Sequence, residues 1–232
     1  MNWFDDDDLM LEAFLKVKIE AFTDELNLVI CSGYFANESL KNKKIINLNI
    51  EDNLFKEYVL WKLHILTPSI LFRKDFLIGK ELFSYKITRG QETELFSRLF
   101  YKLSSNYYKV INKPLFLYRQ HSNSKTTKNL QYIKEYKESQ SYIAIENLKK
   151  SFKINDLVLV NYLFSGLIDI FFRGIENKHI INSRYILKSL IILLPKGNKT
   201  SKTEFILFGN LFLIFLRGSY RIEKRWKSKI IK

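Results

Sequence analysis

Cysteine, glycine, proline and long apolar runs are all scarce in this chain. Its 232 residues include one cysteine, Cys31, which excludes a disulfide scaffold and a cysteine-based zinc site. Eight glycines and three prolines argue against a linker-rich or collagen-like protein. Polar residues interrupt the longest apolar stretches, 157–172 and 205–216, which fall short of the ~18–20 apolar residues that a membrane-spanning helix needs. Because no basic segment opens the chain, the sequence predicts no secretory signal and a cytoplasmic location.

The residues that are present describe a basic globular protein. The chain is 47% apolar and 27% charged, which suits one well-cored domain or one domain with an appendage. Its 38 basic and 24 acidic residues give a net charge of +14, which predicts a polyanionic partner: nucleic acid, an anionic membrane surface or a phosphorylated substrate. The charge is uneven, since residues 1–12 hold five acidic residues and no basic one, whereas 217–232 hold seven basic residues and one acidic.

The pattern of apolar residues divides the chain into two parts. Up to about Arg119, helical and extended segments alternate, and this alternation favours an α/β layered domain. After a polar loop the pattern becomes wholly helical, with a soft boundary between residues 122 and 130. We therefore predict a sheet domain over residues 1–125 and a helical region over 126–232. The predicted strands are 26–34, 44–50, 70–72, 107–111 and 115–118, and the predicted helices are 9–22, 91–103, 130–150, 155–173, 177–194 and 203–217.

An acidic run, Asp5 to Asp8, stands near the start of the chain. Asp5 and Asp7 would project to the same side of an extended segment and could share one divalent cation. The alternative is a solvated acidic start of a helix, where aspartate caps the first turn and interacts favourably with the helix dipole.

Glu92 lies at the start of the predicted helix 91–103. It precedes Leu95, Leu99 and Leu103 by three, seven and eleven residues, so it extends the apolar face of that helix. A partly buried carboxylate there is a candidate general base, because burial raises its pKa towards the working range. The alternative is a solvated glutamate in the first helical turn.

Arg119 and His121 follow a predicted apolar strand and lead into a polar loop. Arginine is the preferred side chain for clamping phosphate, and histidine binds metals or donates to phosphate. The alternative for His121 is an ordinary surface histidine. His64 and His179 have no supporting neighbours in the sequence, so we expect both to be structural.

Four segments, in this order, resemble successive landmarks of family 2 glycosyltransferases with the GT-A fold. The resemblance covers residues 3 to about 125 and rests on Trp3–Leu9 (WFDDDDL), Thr67–Lys74 (TPSILFRK), Arg89–Leu99 (RGQETELFSRL) and Pro114–Ser124 (PLFLYRQHSNS). It implies an incomplete GT-A sheet domain followed by helices. It also implies an inverting enzyme that moves a sugar from a nucleotide-sugar donor to an acceptor hydroxyl of a surface polysaccharide or glycolipid.

The resemblance also assigns roles to individual residues. Asp5 and Asp7 match the pair that binds a divalent ion, Mn or Mg, and His121 matches a histidine that completes the metal shell or touches the diphosphate. Asp8 and Arg119 would lie against the nucleotide diphosphate. Glu92 takes the place of the base that deprotonates the acceptor. The family's motif usually reads Glu-Asp, whereas this chain has Gln91-Glu92. The side chain of Glu92 is one methylene longer than the aspartate that it replaces.

The front of the expected domain differs from the family. A GT-A domain opens with about two βα units before its acidic motif, but only four residues precede Asp5 here, fewer than the ~5–6 of a typical strand. The resemblance therefore predicts an N-terminally truncated chain with an exposed sheet edge, poor solubility and little transferase activity by itself.

The C-terminal end leaves two interpretations open. Apolar residues 205–216 followed by the basic segment 217–232 suit a peripheral contact with an anionic membrane, which would bring the enzyme to lipid-linked acceptors. The alternative is a helical hairpin that packs on the protein and leaves its basic end solvated. A non-catalytic basic module for nucleic acid or a membrane surface is the rival function. Nucleic acid is disfavoured because the acidic run repels phosphates and most aromatic residues lie in apolar runs. A metal-dependent phosphohydrolase would use the acidic run but not the later segments.

Overall fold

The computed structural model describes residues 1–120, 132–195 and 199–231. His121 therefore lies outside the described residues. The chain divides into two compact units, which we call the sheet unit (Met1–Ser84 and Glu92–Leu130) and the helical unit (Tyr85–Gln91 and Gln131–Lys232).

The sheet unit combines one mixed sheet with short helices. Its sheet has the order β1-β5-β2-β3, with β4 pairing with the same strand, β2, as β3 does. Strands β2 and β5 are parallel and the other pairs are antiparallel. The predicted α/β class is therefore confirmed as a mixed α/β fold with a mostly open sheet. In chain order its elements are β1 Leu9–Met10, α1 Phe14–Glu20, β2 Leu28–Ala36, β3 Lys44–Ile45, α2 Leu54–Val59, β4 Ile70–Phe72, α3 Lys74–Leu77, α4 Gln91–Phe100 and β5 Tyr108–Arg119.

Strand β2 is the centre of this sheet, and its composition explains why. Its first residues, Leu28 to Cys31, are fully buried, as expected for an apolar run with neighbours on both edges. Gly33 follows, and a Cβ atom at this position would overlap the ring of Phe116 on β5. The glycine therefore leaves room for the Phe116 ring to pack across β2.

Strand β5 is one strand where the sequence predicted two. Cys31 pairs with Ile111 and Ser32 pairs with Pro114, so Asn112 and Lys113 form a bulge within a continuous strand. A proline cannot donate to a sheet ladder and is tolerated at such a bulge. The Asn-Lys-Pro tripeptide thus shifts the register without ending the strand.

The predicted helix 9–22 is correct only over its second half. Leu9 and Met10 form β1 and pair with Leu117 and Phe116 of β5, and α1 begins at Phe14. Strand pairing therefore overrides the helical propensity of the first residues. Phe14 and Lys18, one helical turn apart, are both buried on the inner face of α1.

The helical unit contains five helices in its described residues. They are α5 Lys134–Lys153, α6 Leu157–Glu176, α7 Ile180–Leu193, α8 Lys199–Phe215 and α9 Tyr220–Lys227. Trp226 of α9 is buried, and its ring centroid lies 4.2 Å from Phe205 and 5.6 Å from Phe172. The basic C-terminal segment is therefore anchored in the unit by its tryptophan.

Helix α6 is the apolar centre of the helical unit. Among the described residues it is the one helix that is long and apolar enough to cross a membrane, by length and composition alone. However, 61% of its most apolar window is buried within the protein. A core helix has the same composition, so this finding is weak evidence for a membrane span.

Candidate functional site

The acidic run forms a turn that leads into β1. The amide of Asp8 donates a 3.3 Å hydrogen bond to the carbonyl of Asp5, and β1 begins at the next residue, Leu9. Helix α1 starts only at Phe14 and has no acidic residue in its first turn. The alternative interpretation of the run as the start of a helix is therefore wrong.

Arg119, the last residue of β5, holds this turn. Its backbone amide donates to Oδ1 of Asp8 at 3.0 Å, and its Nε donates to the carbonyl of Asp7 at 2.8 Å. Its Nη1 donates to the carbonyl of Glu38, just beyond β2, at 3.2 Å. The structure thus brings together Asp7, Asp8 and Arg119, which the sequence predicted as parts of one site.

Asp5 is held from the other side of the turn, by Thr67. The Thr67 hydroxyl donates to Oδ2 of Asp5 at 3.0 Å. The next residue, Pro68, accepts a 2.5 Å hydrogen bond from Nζ of the buried Lys18. Lys18 therefore holds the short 3₁₀ turn Thr67–Ser69 in place. Thr67 of this turn positions Asp5, the first aspartate of the run.

Lys18 and Thr67 are site residues that the sequence did not single out. Lys18 is fully buried, and burial lowers the pKa of its ammonium group to about 8. Its Nζ lies 3.9 Å from the centroid of the Phe14 ring. The signal in the sequence was the position of Lys18 one turn after Phe14, on the apolar face of the helix.

Cys31 lies against the buried Lys18. Burial raises the pKa of the Cys31 thiol to about 11, against the smaller opposing effect of the nearby Lys18 ammonium group. Reactive cysteines are exposed and have a lowered pKa. Cys31 is therefore an inert core residue.

Asp8 is partly buried, whereas the other three aspartates of the run are exposed. Burial raises its pKa from 3.8 to about 6; the hydrogen bond from Arg119 opposes this shift, and the neighbouring charges of Asp7 and Asp5 add to it. Its Oδ2 atom is buried and has no hydrogen-bond partner in the described part of the chain. An ionised Asp8 is therefore short of compensating positive charge.

The oxygen atoms of this turn fit a hard divalent cation. Mg²⁺ and Mn²⁺ prefer carboxylate and carbonyl oxygens, and a cation would compensate the buried, unpartnered Oδ2 of Asp8. Within residues 1–120, 132–195 and 199–231, however, no group of three or more His, Cys, Asp or Glu side chains is arranged to hold a metal ion. The metal-binding roles of Asp5, Asp7 and His121 remain predictions.

Glu92 lies on α4, half-buried in its first turn. Its charge adds to the effect of burial in raising the pKa of the buried Tyr58 hydroxyl, which hydrogen-bonds to Thr93. The buried acidic residue of this helix is instead Glu94. Its Oε1 forms an ion pair with Nε of Arg98 at 2.8 Å. In the described residues, no hydrogen bond or ion pair joins Glu92 to the acidic run.

The other two histidines are described. The ring of His64 packs edge-on against Phe35, with centroids 5.8 Å apart. His179 is buried, with Nδ1 3.1 Å from the Tyr132 hydroxyl and Nε2 2.9 Å from Oε1 of Glu138. The sequence did not identify Tyr132 and Glu138 as partners of His179, because they lie 47 and 41 residues away from it.

One cavity of the sheet unit lies next to α3 and α4. It has a volume of about 380 Å³ and is lined by α3, α4 and the residues after each, including Phe76, Arg98 and Tyr101. None of the predicted site residues lines it. Comparison with known protein families and with curated proteins finds no match to this chain.

Proposed function

We propose that this chain is a glycosyltransferase of the GT-A type, whose acidic turn binds the diphosphate of a nucleotide sugar through Mn²⁺ or Mg²⁺. The observation that supports this proposal best is the contact between Arg119 and Asp8. This contact joins the acidic run to Arg119, so residues from two of the segments on which the resemblance rests lie next to each other.

The chemistry of the turn supports an anionic ligand only when a cation is present. Asp5, Asp7 and Asp8 together repel a diphosphate, whereas the Arg119 guanidinium attracts it. A divalent ion held by the aspartates would neutralise the charge that develops on the departing nucleoside diphosphate. Asp8, with its buried and unpartnered Oδ2, is the residue best placed to hold the ion together with the predicted pair Asp5 and Asp7.

In this proposal Glu92 is the general base. It accepts the proton of the acceptor hydroxyl as the acceptor oxygen bonds to the anomeric carbon of the sugar. The bond from that carbon to the phosphate oxygen breaks, and its electron pair leaves with the nucleoside diphosphate. Attack in line with the departing group inverts the anomeric carbon. Half-burial at the start of α4 allows Glu92 both to meet an acceptor and to remain partly desolvated.

Donor binding separates this proposal from a nucleic-acid module. In isothermal titration calorimetry, we expect the protein to bind nucleotide sugars in the presence of Mn²⁺, and to bind them much more weakly after chelation of the metal. Single-stranded RNA should bind without such a metal requirement if the basic-module alternative is correct.

A matched pair of variants makes this titration specific. Asp8→Asn should lose most of the Mn²⁺-dependent binding, whereas Asp24→Asn, at an exposed site elsewhere in the sheet unit, should keep it. RNA binding together with no nucleotide-sugar binding, or equal binding by the two variants, would contradict the proposed function.

A further inference from the structure

Helix α8 presents an apolar stripe to solvent. Leu207, Leu211, Ile214 and Phe215 follow the spacing of one helical face and are 58%, 44%, 69% and 68% exposed. We call these four residues the α8 stripe. A run of large exposed aliphatic and aromatic side chains on a single helix is unusual for a surface that faces only water.

The α8 stripe is separate from the core of the helical unit. The opposite face of the helix already fills that core with Phe205, Phe212 and Leu213, all buried. Phe205 and Phe212 lie 4.2 and 6.0 Å from the ring of Trp226. Because α8 packs on the core with one side, the stripe is a second apolar face, and the described residues of the helical unit do not cover it.

Helix α9 follows α8 in the chain and contacts it through Arg225. Nη2 of Arg225 lies 3.5 Å from Oε1 of Glu204, and its guanidinium lies 5.9 Å from the centroid of the Phe208 ring. These contacts link α9 to Glu204 and Phe208 of α8, whereas the main packing partner of α9 is α6. Arg217 follows Phe215, the last residue of the α8 stripe, by two residues, and Arg221 follows it by six, so basic residues begin where the stripe ends.

The cations of this C-terminal segment fall into two groups. Arg225, Lys227 and Lys229 form ion pairs with acidic residues of the helical unit, and these pairs hold α9 in place. Arg217, Arg221 and Lys224 are exposed, and in the described residues none of them has an acidic partner. We call these three the basic flank. Their charge is available to a ligand outside the helical unit.

Tyr220 lies within the basic flank, between Arg217 and Arg221 in the sequence. It is the first residue of α9 and is 77% exposed. Tyrosine is enriched where an apolar layer meets water, because its ring is apolar and its hydroxyl is polar. Its position next to Arg221 thus matches the composition of an interfacial membrane contact.

The combination of apolar and basic surface identifies the ligand. We propose that the α8 stripe and the basic flank dock the helical unit on an anionic lipid bilayer, with α8 lying in the plane of the interface. Acyl chains would cover the stripe, and lipid phosphates would pair with Arg217, Arg221 and Lys224. This docking does not depend on the transferase chemistry proposed above.

Two other ligands fit this surface less well. A second copy of the chain, related by a two-fold axis, would bring two basic flanks together in a protein whose net charge is already +14. Nucleic acid would satisfy the cations but would leave the α8 stripe facing water or phosphate. An anionic bilayer satisfies both parts.

Vesicle flotation with point variants tests the proposal. Deletion of the C-terminal residues would be uninformative, because Phe205 and Trp226 belong to the core. We expect the protein to float with vesicles of phosphatidylcholine and phosphatidylglycerol and not with phosphatidylcholine alone. Leu207→Gln/Leu211→Gln/Ile214→Gln should lower the partition coefficient by on the order of tenfold or more, since burial of three aliphatic side chains is lost. Arg217→Gln/Arg221→Gln/Lys224→Gln should lower it by about tenfold or more.

Controls with matched chemistry keep the outcome interpretable. Leu15→Gln/Ile19→Gln replaces exposed aliphatic residues of α1, and Lys43→Gln/Lys44→Gln/Lys109→Gln removes three exposed cations of the sheet unit. Both control variants should bind as the unaltered protein does, and circular dichroism verifies that each variant is folded. No flotation of the unaltered protein, or unchanged flotation of the folded α8 variant, would overturn the proposal. A dimer in sedimentation that the α8 variant abolishes, together with no binding to vesicles, would also overturn it.

Discussion

The backbone amide of Arg119 donates a 3.0 Å hydrogen bond to Oδ1 of Asp8, across 111 positions of the sequence. This bond joins the end of the long strand β5 to the last carboxylate of the acidic run. It leaves Oδ2 of Asp8 buried and, among the described residues, without a hydrogen-bond partner. The backbone of Arg119 thus fixes one oxygen of this carboxylate, and no described residue donates to the other.

Replacement of Asp8 by asparagine should change the pH dependence of stability. Burial raises the pKa of Asp8 from 3.8 to about 6 in the folded protein, so the folded state keeps a proton that the unfolded chain has already released. Ionisation of Asp8 therefore lowers the free energy of unfolding as the pH rises from 3.8 to about 6, and has no further effect above that range.

Urea unfolding at several pH values, in buffer free of divalent ions, measures this effect. The difference between unaltered protein and Asp8→Asn should shift in favour of the variant across that interval. Asp24→Asn, at an exposed position, should follow the unaltered protein. Parallel curves for the unaltered protein and Asp8→Asn would show that Asp8 is not perturbed.

Arg119→Gln should loosen the acidic turn and destabilise the sheet unit. The variant loses the side-chain bonds to the carbonyls of Asp7 and Glu38 but keeps the backbone bond to Asp8. We expect a loss of about 1–3 kcal/mol in the free energy of unfolding, measured by urea denaturation. Arg184→Gln, at an exposed position on α7, is the control and should change it by no more than about 0.5 kcal/mol.

Gly33→Ala should destabilise the centre of the sheet. The added methyl group would overlap the end of the Phe116 ring, so this buried ring would have to move from its packed position, at a cost of about 1–3 kcal/mol. Gly166→Ala on α6 is the opposite case, since nothing lies within 4 Å of the added atom. That variant should gain up to about 1 kcal/mol, because alanine is the better helix former. Thermal unfolding of the two variants should therefore give shifts of opposite sign.

Trp226→Ala should unfold or strongly destabilise the helical unit. Its ring is buried among Phe171, Phe172, Phe205 and Phe212, and removal of a buried tryptophan costs about 3–5 kcal/mol. Trp226→Phe should cost less, because it keeps an aromatic ring and removes an indole N–H that has no acceptor in the described residues. Trp61→Ala, at a 57% exposed site, is the control. A Trp226→Ala variant as stable as this control would show that α9 does not pack as described.

The sequence predicted best those elements whose packing is encoded locally. The apolar run of β2 and the repeating apolar positions of α4 and α6 identify their elements without knowledge of distant partners. Long-range pairing explains the errors. Leu9 and Met10 become a strand only because β5 pairs with them, and Asn112 and Lys113 bulge because Cys31 and Ser32 keep β5 in register. Helix α9 was missed because its anchor, Trp226, needs a pocket made by α6 and α8.

The candidate site was predictable in its residue types but not in its geometry. The acidic run and Arg119 stand out in the sequence, and their proximity follows once β1 pairs with β5. The supporting residues do not stand out, because Lys18 lies on an ordinary amphipathic helix and Thr67 in an ordinary turn. Their roles depend on contacts between residues 50 and 62 positions apart. The prominence of Asp8 over Asp5 and Asp7 is a matter of burial, which spacing alone does not reveal.

An electron paramagnetic resonance titration of Mn²⁺ examines the proposed role of the acidic turn without relying on transferase activity. The signal of free Mn²⁺, corrected by a protein-free titration for the ion that the nucleoside diphosphate itself binds, measures how much ion the protein binds. The titration compares the unaltered protein, Asp8→Asn and Asp24→Asn, with and without the nucleoside diphosphate. We expect the unaltered protein and Asp24→Asn to bind Mn²⁺ more tightly when the nucleoside diphosphate is present, and Asp8→Asn to lose this binding. Equal Mn²⁺ binding by Asp8→Asn and Asp24→Asn, or binding that the nucleoside diphosphate does not strengthen, would contradict the proposed metal and diphosphate site.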